Sequence, residues 1–165
     1  MQPKPSSAMR FLTISTVLIA WTSMVTVESG FTTVIHGDLE LDVSDEQLPF
    51  DDAFFACYRN NKTLLSVDSE GKDRILVDLF INGGSNVTLP GTQSWIAARE
   101  SREGVWVNVV AGSLQPLYYT RWFIDQPDDT ENLSCAFQHT LFDLNWRDGN
   151  CSAPFYFICE STIAK

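Results

Sequence analysis

Residues 122–128 read Trp122-Phe123-Ile124-Asp125-Gln126-Pro127-Asp128, and they are followed by Cys135, Trp146-Arg147-Asp148, Cys151 and Phe155-Tyr156-Phe157-Ile158-Cys159. Three of the chain's four cysteines stand here among aromatic rings, acids and turn-forming residues. The rings supply core material, but regular periodicity is weak, so crosslinks are needed to hold such a segment in shape. The stretch Leu117 to Asn150 is therefore expected to be a long irregular region stapled by cysteines. Immediately upstream, the short runs Trp95 to Ala98 and Val105 to Val110 are bounded by Gly, Pro, Ser and charged residues, which predicts strands.

Moving further toward the N-terminus, the period changes. Phe50, Ala53, Phe54 and Cys57 fall at i, i+3, i+4 and i+7, one face of a helix that Pro49 begins. Ile75, Leu76, Leu79 and Phe80 form the stripe of a second helix from about Ser69 to Phe80, with Glu70 in its first turn and Gly83-Gly84 at its end. Leu39, Leu41 and Val43 alternate as a first strand. Two helices followed by short strands predict an α+β domain, and 165 residues suffice for one core.

The first 29 residues read as a signal peptide. Lys4 and Arg10 make a positive start, Phe11 to Trp21 is an apolar run too short for a membrane span, and Val27 and Ser29 suit cleavage near Ser29. The predicted organisation is thus a leader over residues 1–29, an N-terminal segment over 30–48 and a domain over 49–162. A secretory route makes the even number of cysteines a disulfide framework, for which arithmetic alone leaves three connectivities open. Sequons at Asn61, Asn86, Asn132 and Asn150 agree with an extracellular, secreted destination. The whole chain has a formal charge of −10, and loss of Lys4, Arg10 and Glu28 with the leader takes it to −11. Such a surface repels nucleic acid.

The spacing of Trp122, Gln126-Pro127-Asp128, Cys135, Trp146-Arg147-Asp148, Cys151 and Cys159, with Trp95-Ile96-Ala97-Ala98 upstream, resembles the C-type lectin domain over about residues 50–160. The resemblance implies the C-type lectin-like fold, in its short form, with two helices, small antiparallel sheets and a long stapled loop region. It implies the pairings Cys57–Cys159 and Cys135–Cys151. It also implies a calcium ion (Ca2+) held by side-chain oxygens, with Gln126, Asp128 and Asp148 at ligand positions and Glu131 as a replacement donor, since calcium takes hard oxygen ligands. A cis peptide before Pro127, which the family uses, turns Gln126 and Asp128 toward one point. Arg147 occupies the place of the family's asparagine ligand and offers no oxygen, while sugar contacts are expected at Gln126, Asp128, Arg147 and Asp148. The order Gln-Pro-Asp implies galactose-type rather than mannose-type preference.

Two functions compete on this reading. The first is a secreted carbohydrate-binding protein, calcium-dependent and galactose-preferring, recognising microbial or cell surfaces in the manner of innate defence. The alternative is a C-type lectin-like domain without calcium-dependent sugar binding that docks a protein partner, for which Arg147 and Leu133 speak. A hydrolase is not expected: no Gly-x-Ser-x-Gly or His-Glu-x-x-His occurs, the cysteines are committed to bridges, and His36 and His139 have no evident catalytic companion. Trp95, Trp106, Trp122 and Trp146 are expected in the core, and His139 as a hydrogen-bonded structural histidine.

Overall fold

The computed structural model describes residues 18–20, 23–28, 30–102, 104–128 and 134–163, the first two stretches by backbone alone. Eleven strands and two helices follow one another along the described residues. The strands β1 (Leu18–Ala20) and β2 (Ser23–Glu28) lie within the stretch read as a leader and pair antiparallel with each other, and β2 pairs in turn with β3 (Phe31–His36). Ser29, where cleavage is expected, is outside the described residues.

β3 pairs with β4 (Leu39–Ser44), and β4 lies antiparallel to β11 (Tyr156–Thr162). The alternation of Leu39, Leu41 and Val43 predicts β4 but gives no sign of β3, whose Phe31-Thr32-Thr33-Val34-Ile35-His36 lacks a polar–apolar period. Burial on the sheet explains the mismatch: Val34 is fully buried, and the neighbouring buried Thr33 donates its hydroxyl to Asp42 at 2.6 Å. Residues 30–48 thus join the sheet of the domain that follows them.

Pro49 caps α1 (Phe50–Arg59), and the predicted stripe is the buried one, with Phe50, Ala53 and Cys57 inside. β5 (Thr63–Leu64) returns the chain to β11. The side chain of Ser69 then accepts the Lys72 amide and opens α2 (Glu70–Phe80). Beyond α2, Gly83 adopts a φ of +80°, a left-handed conformation that glycine enters without Cβ strain.

The strand β6 (Gln93–Glu100) runs through the middle of the sheet, parallel to β11 and antiparallel to β7 (Trp106–Val110), which pairs with β8 (Ser113–Pro116). Its Trp95 and Ala97 face one core and Ile96 and Ala98 the other, so a continuous apolar run is buried on both faces. The first core gathers Val34, Leu41, Leu76, Leu79, Ile96 and Trp146. The second is built on Phe50, Trp95, Phe137, Phe157 and the Cys57–Cys159 pair. Trp95 and Trp146 are fully buried, while Trp106 and Trp122 are half-buried in an edge-to-face contact with centroids 4.7 Å apart.

The expected irregular region from Leu117 to Asn150 is corrected in its second half. There β9 (Cys135–His139) and β10 (Asn145–Gly149) form an antiparallel hairpin around a 3-10 turn at Thr140–Phe142, and β9 pairs with β6. The reason is tertiary: every residue of β9 is buried, so no polar–apolar alternation marks it in the sequence. Both bridges implied by the resemblance are present, Cys57–Cys159 across 102 residues and Cys135–Cys151 across 16. Among the described residues, no helix is long and apolar enough to cross a membrane.

Candidate functional site

Gln126, Asp128 and Asp148 converge. Trp146, pinned in the core, anchors β10, and a bridge from Trp122 to Trp146 lays the loop alongside it. The Trp146 amide donates to the Arg121 carbonyl at 2.7 Å, the Phe123 amide to the Trp146 carbonyl at 2.8 Å, and the Gln126 amide to the Phe123 carbonyl at 3.0 Å. The Gln126–Pro127 peptide is cis, as the resemblance implies.

Three hydrogen bonds, two of them donated by backbone amides, then close a ring of these residues. Gln126 Nε2 donates to Asp128 Oδ2 at 3.0 Å, the Asp128 amide to Asp148 Oδ1 at 3.0 Å, and the Asp148 amide to Gln126 Oε1 at 3.2 Å. Asp128 is exposed and the other two are half-buried, so the ring faces solvent. One amide oxygen and two carboxylates meet at its edge, a hard and anionic donor set of the kind a calcium ion takes. Glu131, the remaining expected donor, lies outside the described residues, as does Leu133. Among the described residues no group of three or more His, Cys, Asp and Glu is placed to hold a metal. Calcium takes about six to eight oxygens. Gln126, Asp128 and Asp148 therefore fit it in chemistry and would supply part of its shell.

Arg147 is placed apart from this ring. In the hairpin register it stands opposite Phe137, on the strand face alternate to Trp146 and Asp148, and no hydrogen bond or ion pair joins it to Gln126, Asp128 or Asp148. Its charge reaches His139 instead. Burial first, and Arg147 second, hold the His139 imidazole below its ordinary value of 6.5, and its Nδ1 accepts the Leu141 amide at 3.2 Å. His139 is thus the structural histidine that the sequence predicts.

The loop's tether to α2 is absent from the sequence reading. The buried carboxylate of Asp73 takes Arg121 Nη1 at 2.7 Å, and burial and the Asp73 charge together push the neighbouring Tyr119 hydroxyl above its ordinary value. A signal was available: Asp73, Leu76 and Phe80 share the spacing i, i+3, i+7, so an acid sits on an apolar stripe and requires a partner.

The Lectin C-type domain model matches residues 46–161. The chain belongs to the C-type lectin domain family. Solved C-type lectin structures share the fold at low identity. The mouse scavenger receptor C-type lectin carbohydrate-recognition domain is 23% identical with a TM-score of 0.66, covering 81% of this chain and 95% of its own. Human lithostathine is 20% identical with a TM-score of 0.65, covering 82% and 90% respectively. The cow C-type carbohydrate-recognition domain of CD23, solved in the presence of GlcNAc2Man3 oligosaccharide, is 19% identical with a TM-score of 0.64, covering 86% and 99%. No curated protein sequence matches the chain. This lectin domain carries the family's disulfides and a cis-proline loop, with arginine at one expected ligand position.

Proposed function

We propose that this lectin domain is a secreted carbohydrate-binding protein whose ligand sits on Gln126, Asp128 and Asp148, calcium-dependent and of galactose-type preference. The observation that carries the reading is the closed hydrogen-bonded ring of these three residues on a solvent-facing edge. Calcium, when bound, supplies a charge on which sugar hydroxyls complete the oxygen shell. The chain's own part is to orient hydroxyls: the amide of Gln126 donates and accepts, whereas Asp128 and Asp148 only accept, so their placement selects which hydroxyls fit. The two disulfides and the four sequons support an extracellular route, and microbial or cell surfaces are natural targets for such a module. We read the domain as a binding protein and not an enzyme.

A second reading has its own observation. Hydrogen bonds among the ring's members already engage one oxygen of each side chain, and Arg147 brings no oxygen to it, which favours a lectin-like domain that binds a protein without calcium. Chromatography on galactose and mannose matrices, with calcium and with chelator, tests the first reading. Retention on galactose in calcium, released by chelator, is the expected result, and equal retention on both matrices, or none, rejects it. Calcium titration followed by melting temperature separates the readings, because an ion that binds only the folded state raises it by mass action. No rise at millimolar calcium favours the protein partner.

A further inference from the structure

We propose that Asp73 on α2 is a positioning residue for the Gln126-Asp128-Asp148 ring, acting through Arg121 on the segment that carries Gln126. The proposal deepens the binding reading above and rests on it for its functional consequence. Its structural basis is a continuous path of short contacts. Asp73 is buried in the helix face and holds Arg121, 48 residues away in sequence, at 2.7 Å. Close to Arg121 in the same segment, the ring of Tyr119 lies edge-on to Trp146 with centroids 6.1 Å apart.

From that clamp the path runs on through backbone. The Arg121 carbonyl receives the Trp146 amide, the Trp146 carbonyl receives the Phe123 amide, and the Phe123 carbonyl receives the Gln126 amide. Gln126 Oε1 then receives the amide of Asp148. Residues 117–128 contain no strand or helix beyond the bridge of Trp122 to Trp146, so the segment depends on side-chain anchors for its position. The Asp73–Arg121 pair is such an anchor, and it ties the segment to a helix rather than to the neighbouring strand. A buried carboxylate stripped of charge releases Arg121, because a neutral amide no longer repays the desolvation of the guanidinium. The loop can then shift against β10 without loss of the core, since Trp146 itself remains buried in the cluster of Leu76, Ile96 and Leu144.

Amide hydrogen exchange on the full secreted chain is the test. In Asp73→Asn, the amides of Phe123, Gln126, Trp146 and Asp148 are expected to exchange about tenfold faster while those of β4 and β11 keep their rates, a pattern of local opening. A uniform acceleration across all strands, or no change at the four amides, overturns the proposal. If Asp73→Asn does not fold, Arg121→Gln decides it: the ion pair is lost from the loop side, and acceleration at the same amides is expected, none being the overturning result. Retention on a galactose matrix is measured alongside. Failure of the unaltered protein to bind defeats the binding reading and leaves the exchange result standing, whereas binding that Asp73→Asn leaves undiminished overturns the positioning role.

Discussion

His139 shows how one buried side chain gives this domain a pH dependence. Its Nδ1 must be unprotonated to accept the Leu141 amide, and both burial and Arg147 oppose a second proton. With a folded pKa below the unfolded 6.5, the unfolded chain binds the proton more readily, so this contribution to stability is complete above 6.5 and is lost as pH falls through the folded value. The melting temperature is therefore expected to fall when the pH is taken from about 7.5 to about 5, and to fall less in His139→Gln, whose amide oxygen takes the same N–H. Equal falls in both proteins exclude His139 as the source. At this scale the resemblance placed Gln126, Asp128 and Asp148 at ligand positions, and the structure joins the three by hydrogen bonds, whereas Arg147, adjacent to Asp148 in the chain, stands on the alternate strand face. Strand alternation separates consecutive residues, and a motif quoted as a string conceals that.

At the scale of elements, α2 is both legible and informative. Its apolar stripe and flanking glycines predict its bounds, and Ser69 stands at the N-cap, accepting the Lys72 amide at 3.3 Å. Ser69→Ala is expected to cost about 0.5–1 kcal/mol, near the low end for caps because the bond is long and exposed, and urea denaturation measures it as a lower midpoint with an unchanged slope. The helix does more than fill the core: Lys72 pairs with Glu160 of β11 on one side and Asp73 with Arg121 on the other, so α2 bridges β11 and the loop that carries Gln126. Burial pushes the Glu160 carboxyl above its ordinary value, and Lys72 and the Ser66 amide pull against that push. By contrast β3, β9 and β10 leave weak traces in the sequence, because strands covered on both faces or formed around a turn show no alternation.

For the whole molecule, covalent closure dominates. The Cys57–Cys159 bridge joins α1 to β11 and closes a loop of 102 residues, and Cys135–Cys151 closes one of 16. In the chain-entropy model the first restrains the unfolded chain by about 4–5 kcal/mol and the second by about 3 kcal/mol. Replacing Cys57 and Cys159 together by alanine is accordingly expected to lower stability more than replacing Cys135 and Cys151. Thermal unfolding checks the order, at about 2–4 °C per kcal/mol for a chain of this size. A larger loss from the short bridge contradicts the entropic ranking.

The sequence by itself determined the family, both helices and the central strands, because those features rest on local periodicity and on cysteine and tryptophan spacings that a string of residues preserves. Only the tertiary structure decided that residues 30–48 enter the sheet, that β9 and β10 replace half of an expected loop, and that Asp73 holds Arg121. Those outcomes depend on contacts between residues distant along the chain, where burial and charge pairing override local pattern.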